Sequence, residues 1–192
     1  MMRMLAEAFL RLTGWKSEGS EPQAKKFVLL AAPHTSNWDL AYLLAIAVRF
    51  DVTPHWMGKH TLFRGPMGWL MRRLGGIPIR RHLRENVVEQ MTRAFKEHDE
   101  FCLTIPPEGT RGRAPHWKSG FYHIARSADV PIVFGYLDYA SKRGGLGPEF
   151  RPTGDLKADM DVIRAFYAGI RGKHPEDAGE IRLQEEDAPP PA

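Results

Sequence analysis

The chain has 192 residues with 27 Lys and Arg against 23 Asp and Glu, which gives a net charge of +4 and a pI near 9.3. Its 43% hydrophobic and 10% aromatic content fits one globular domain with a sizeable core and excludes disorder, collagen and coiled coil. A lone cysteine, Cys102, excludes a disulfide scaffold and makes a reducing cytoplasm the default compartment.

In chain order, Met2, Leu5, Phe9 and Leu12 recur at helical spacing, with Arg3, Arg11 and Lys16 between or beyond them. Such a helix either packs on the domain or lies in a membrane interface. It lacks the apolar core and small-residue cleavage site of a signal peptide. Residues 25–32 read as a buried strand stopped by Pro33, and Asp39 stands where the N-cap of an apolar helix over 40–48 belongs. That helix holds the longest apolar run, nine residues, against the ~20 needed to span a bilayer. A helix over 66–74 opens on Pro66 and closes at Gly75-Gly76; a short strand over 77–81 and an amphipathic helix over 84–98 follow. The remaining elements are a strand over 101–105, a helix over 118–127 and a strand over 131–136.

Strands alternating with helices predict a single α/β domain, a mixed but mostly parallel sheet flanked by helices. Ligands of such sheets bind beyond the carboxyl ends of the strands, which directs attention to the loops after Ala32, Ile79 and Ile105. The expected division is an amphipathic helical segment over 1–20, a globular body over 21–174 and an acidic, proline-ending tail over 175–192, frayed from Asp187 onward. The tail carries −5 and the preceding 174 residues +9. Residues 52–84 contain no acid but seven cations, Lys59, Arg64, Arg72, Arg73, Arg80, Arg81 and Arg84. That stretch is either a phosphate-attracting surface or an ordinary solvated basic face.

Two loops carry chemistry. The first reads Pro33-His34-Thr35-Ser36-Asn37-Trp38-Asp39. If the chain turns between His34 and Asp39, the carboxylate can accept from one ring nitrogen and leave the other as a base. This is the base-and-orienter half of a serine triad, with no evident protein nucleophile beside it. The plain alternative is a capping Asp with an incidental loop His. The second loop, Pro106-Pro107-Glu108-Gly109-Thr110-Arg111-Gly112-Arg113, places Gly-flanked Thr and Arg at a strand end, which suits an anion or an ordinary polar turn.

Together these blocks resemble the PlsC-like glycerolipid acyltransferases, the family of 1-acyl-sn-glycerol-3-phosphate acyltransferases. His34 to Asp39 matches its H-x4-D motif, and residues 107–111 its PEGTR block. Residues 76–81 resemble the motif ending in a phosphate-binding Arg, here Arg81; residues 130–133 resemble its proline-centred block, and Gly58-Lys59 the segment before the second motif. Departures are Pro33 for Asn, Pro106 for an aromatic, Gly112 for Ser, and Arg80 for the Asp before the phosphate-binding Arg.

The resemblance implies a glycerol-3-phosphate acyltransferase-like fold and O-acyl transfer from an acyl-CoA or acyl-carrier-protein thioester to a glycerol-phosphate or lysophospholipid hydroxyl. His34 is then the general base and Asp39 its orienter. Lys59, Arg81, Glu108, Gly109, Thr110 and Arg111 form the acceptor and phosphate site, with Arg80 and Lys118 as accessory positions. No cofactor or metal is implied, acyl carrier protein is a candidate partner, and the expected location is cytoplasmic, peripheral to an anionic membrane.

Other signals are rejected. Residues 112–119 nearly spell a P-loop, but Trp117 occupies a required glycine. The His55/His60 and His116/His123 spacings do not suit a zinc helix, and Cys102 reads as an inert core residue. The rival class is a basic module that binds anionic membrane or nucleic acid without acyl transfer. No helix-turn-helix, zinc-finger or RNP pattern supports the nucleic-acid version, so no nucleic-acid partner is expected.

Overall fold

The computed structural model describes residues 2–79 and 86–187. The elements are α1 (Met2–Leu12), β1 (Lys16–Gly19), β2 (Lys26–Ala32), α2 (Trp38–Arg49), β3 (Pro54–Lys59), α3 (Gly65–Arg73) and β4 (Gly76–Ile79). There follow α4 (Val87–Glu97), β5 (Phe101–Ile105), α5 (Gly120–Ala128), β6 (Ile132–Asp138), β7 (Arg143–Phe150) and α6 (Leu156–Tyr167). The seven strands form one sheet in the order β1-β7-β6-β2-β5-β3-β4, and only the β6–β7 pair is antiparallel. The expected single-domain, mostly parallel α/β architecture is therefore what the chain adopts.

Strand alternation sends neighbouring residues of β2 to opposite faces. Val28 and Leu30 join a core closed by Met91 and Phe95 of α4, Phe121 and Ile124 of α5, and Met160 and Ile163 of α6. Phe27 and Leu29 face the other layer, made by Ala6 and Leu10 of α1, Trp15, and Ala45 and Ile46 of α2. At roughly 1.5–3 kcal/mol per large apolar side chain, both layers contribute heavily, and β2 is pinned from both sides.

Several expectations need correction. In α1 the residues turned inward are Ala6 and Leu10, with Phe9 partly buried, while Met2, Leu5 and Leu12 of the sequence stripe stay exposed, Leu12 at 88%. Asp39 is no N-cap: Asn37 holds that place without a side-chain cap, and Asp39 lies inside the first turn of α2. α4 starts at Val87, capped by Asn86 and Glu89 in a reciprocal capping box, rather than at position 84. β6 runs two residues past its expected end.

Three strands and one helix had no clear periodic signal. β1 has four residues, and β3 starts with Pro54-His55 and has no apolar run. β7 is Gly-rich for a packing reason: a Cβ on Gly145 would sit 1.9 Å from the Glu18 carbonyl of β1. α6 is capped by Asp155, whose carboxylate accepts from the Ala158 N–H at 3.1 Å. Its buried Asp159 accepts from the Tyr122 hydroxyl at 2.8 Å, and from the Thr153 N–H and hydroxyl.

The acidic C-terminal residues dock on the body as far as they are described. Leu183 is fully buried, the Trp117 N–H donates to the Arg182 carbonyl at 2.8 Å, and Glu186 pairs with Arg164 at 2.7 Å. Residues 188–192 lie outside the described residues.

Candidate active site

Because β2, β3, β5 and β6 run parallel, the loops after them gather at one edge of the sheet. After β2 the chain turns so that His34 Nδ1 faces Asp39 Oδ2 at 3.0 Å. A carboxylate at this point only accepts, so Nδ1 carries a proton, and in the neutral ring Nε2 keeps the lone pair. The same Oδ2 accepts from the backbone N–H groups of Thr35 (3.0 Å) and Ser36 (2.9 Å). Asp39 is 5% exposed. Burial, the largest single influence, pushes its carboxyl up. Hydrogen bonds from His34, Tyr139 and the Ser36 N–H together outweigh it and hold the carboxyl below its ordinary value. A histidine held this way can take a proton at Nε2, and its ring is only about a quarter exposed, at 26%.

The loop after β5 closes on the same place. Glu108 Oε1 accepts from the His34 backbone N–H at 3.0 Å, while Oε2 is buried without a hydrogen-bond partner among the described residues. Burial pushes the Glu108 carboxyl up, against the opposing pull of its own and His34's backbone N–H groups. Arg111 Nη1 donates to Asn37 Oδ1 and so ties the two loops together. Gly109 is at φ +66°, and a Cβ there would meet the Lys118 side chain at 2.7–3.0 Å. Lys118 is anchored in turn by its N–H on the Pro107 carbonyl at 2.8 Å.

Of the sequence-derived candidates, His34, Asp39, Glu108 and Arg111 are thus interlinked, and Gly109 and Lys118 touch each other beside them. Thr110 follows in the same loop, its hydroxyl accepting from the Gly112 N–H at 3.3 Å. Lys59 ends β3 at the same sheet edge, exposed and with β5 between it and β2. Arg80 and Arg81 lie outside the described residues. A cleft of about 570 Å³ runs along the flank of this loop, lined by Gly109, Thr110, Arg113, His116, Lys118 and Glu185 among others. It reaches Glu108 but not the His34 ring.

Sequence reasoning missed Tyr139. Its hydroxyl donates to Asp39 Oδ1 at 2.7 Å, so both carboxylate oxygens are engaged. No motif could flag it, because it lies in a turn after β6 and meets Asp39 only through the sheet: β6 pairs with β2 and places Tyr136 beside Ala32.

The sequence pattern of the acyltransferase family matches residues 15–134, most of the chain. The chain belongs to the acyltransferase family. Among solved structures, the 1-acyl-sn-glycerophosphate (LPA) acyltransferase PlsC from Thermotoga maritima shares its fold. The TM-score is 0.60 at 18% identity, over 87% of this chain and 77% of that one. No curated protein matches this acyltransferase significantly. Its His34–Asp39 turn and Glu108 loop both fall inside the family match, whereas Tyr139 falls outside it.

Proposed function

We propose that this acyltransferase moves a fatty acyl group from a CoA or acyl-carrier-protein thioester to a hydroxyl of a glycerol-phosphate or lysophospholipid. The observation that carries the reading is the His34–Asp39 pair, with Nδ1 occupied at 3.0 Å and Nε2 left to act. Nε2 takes the proton of the acceptor hydroxyl as that oxygen bonds to the thioester carbonyl carbon. The tetrahedral adduct collapses with cleavage of the C–S bond, and the imidazolium returns its proton to the departing thiolate. Asp39 stabilises the imidazolium between these steps. The acyl group passes directly between substrates, so no acyl-protein bond forms.

Arg111, with Lys59, Thr110 and the Gly109 backbone, holds the acceptor's phosphate, and binding at that distance aligns the hydroxyl with Nε2. Glu108 Oε2 hydrogen-bonds a second acceptor hydroxyl in this reading, supported by its burial without a partner among the described residues. Arg81, which follows β4 in the sequence, is assigned to the same clamp by the family resemblance, with Arg80 and Lys118 accessory to it.

The reading includes peripheral attachment at the cytoplasmic face of an anionic membrane. Among the described residues no helix is long and apolar enough to cross one. Supporting attachment are two exposed apolar rows, Met2, Met4, Leu5 and Leu12 on α1 and Met67, Trp69 and Leu70 on α3. On α3 the cations serve the protein as well as any partner. Arg72 donates to the Phe63 carbonyl at 3.2 Å, and the Arg73 guanidinium lies 5.7 Å from the Trp69 ring centre.

The test is a thiol-release assay with acyl-CoA and acyl-carrier-protein donors against glycerol-phosphate and lysophospholipid acceptors. His34→Ala should lower kcat by at least ~10²-fold with little change in melting temperature. Undiminished transfer by folded His34→Ala protein removes the mechanism.

A further inference from the structure

We infer that Tyr139 is a positioning residue for the His34–Asp39 pair, holding the Asp39 carboxylate in the rotation that presents Oδ2 to His34; the inference rests on the functional reading above. The carboxyl torsion of an aspartate is soft, so nothing intrinsic keeps one oxygen toward the histidine. Oδ2 collects three contacts, from His34 Nδ1 and the Thr35 and Ser36 N–H groups, while Oδ1 has the Tyr139 hydroxyl. With both oxygens claimed, the carboxylate has one orientation left.

The phenol is itself held from elsewhere. Its backbone N–H donates to the Arg171 carbonyl at 2.9 Å. Its ring meets Trp15 edge-on at 4.8 Å and 88°, and Tyr42 at 6.0 Å and 90°. Trp15 stacks on Tyr42 at 4.3 Å, and Phe9 of α1 lies 5.3 Å from the same Tyr42. Aromatic pairs of this geometry add roughly 0.5–1.5 kcal/mol each beyond their burial, so the hydroxyl is aimed before Asp39 engages it. Burial and the Asp39 carboxylate push the phenol's ionisation far above its ordinary value, and it stays a donor. The ring partners Trp15 and Tyr42 are not among the residues assigned to acceptor binding, whereas the hydroxyl donates to Asp39.

Tyr139→Phe keeps the ring and removes only the hydroxyl. The expected result is a fall in kcat of about tenfold, the order of one charge-assisted hydrogen bond, with both substrate KM values within about twofold. The melting temperature should stay within about 2 °C of the parent, since the aromatic packing is unchanged. In an Asp39→Asn background the same substitution should cost less than about twofold, because its route to His34 is already impaired. The His34 Nδ1 proton resonance, which reports the bond to Asp39 whether or not any substrate turns over, should shift or broaden in Tyr139→Phe. The inference is overturned by an unchanged kcat and Nδ1 resonance, by a kcat loss that tracks a lowered melting temperature, or by a full tenfold loss persisting in Asp39→Asn. If His34→Ala keeps full activity, the functional reading falls instead, and the Nδ1 resonance still decides whether Tyr139 orders the pair.

Discussion

Two buried carboxylates stand within one sheet edge of each other and are treated in opposite ways. Asp39 receives a histidine, two backbone N–H groups and a tyrosine hydroxyl; Glu108 receives only backbone N–H groups, its own and that of His34, and its Oε2 has no partner among the described residues. Burial weighs against ionisation at both sites, yet Asp39 ends below its ordinary value and Glu108 above it. The number of donors decides the sign. The first loop is complete and holds the His34 ring by Nδ1. The second is incomplete as it stands, and its free oxygen is the kind of group a bound hydroxyl can satisfy.

The comparison breaks most visibly at Asp39. Asp39→Ala strips the acceptor from the buried N–H groups of Thr35 and Ser36, each costing about 1–3 kcal/mol if left unsatisfied. At about 2–4 °C per kcal/mol for a chain of this size, the melting temperature should fall by roughly 5 °C or more. Turnover should fall with it by ~10²-fold or more, because the proposed base His34 loses its partner. Glu108→Gln keeps an oxygen for the His34 N–H and should leave the melting temperature within about 2 °C at neutral pH. Calorimetry of the two variants side by side would sink the contrast if their losses were equal.

Next in size is Arg111→Ala. The guanidinium is exposed and its hydrogen-bond partner among the described residues is Asn37, so little stability depends on it. Loss of a charge-assisted contact to a phosphate should raise the acceptor KM by about tenfold and leave the donor KM within about twofold. Steady-state kinetics with phosphorylated and phosphate-free acceptors would read this. An equal KM for the two acceptors in the parent enzyme would remove the phosphate role.

How much of this was legible beforehand follows from where each signal resides. β2 and β5 announced themselves as short apolar runs because they are central and buried on both faces. The His34 and Glu108 loops announced themselves because their chemistry is local in sequence. β3 and β7 did not, since one has intermediate burial with no periodicity and the other is kept Gly-rich by the close approach of β1. α1 misled in a specific way. Its residues at regular spacing include the most exposed ones, and the buried positions, Ala6 and Leu10, are less conspicuous than Met2 or Leu12. Tyr139 was illegible for a deeper reason: it is 100 residues from Asp39 and reaches it only because β6 lies next to β2.

The smallest expected effect is also the most direct readout of the two carboxylates, the pH dependence of stability. Asp39 has its folded value lowered, so its contribution is present above the unfolded value of about 3.9 and is lost as pH falls through the lowered folded value. Glu108 has its folded value raised, so the folded protein binds that proton more tightly than the unfolded chain. Its contribution is present below about 4.3 and is lost as pH rises through the raised folded value. Against the parent protein, Glu108→Gln should therefore gain relative stability as pH is raised from about 4 toward neutrality, and flatten above that. Asp39→Asn should do the reverse on the acid side: its deficit relative to the parent shrinks as pH is lowered below about 4. Melting temperatures of the three proteins across that range give two difference curves of opposite slope in separate windows. Curves of the same slope would mean that burial alone governs both carboxyls, and that the four donors gathered around Asp39 do not hold its charge.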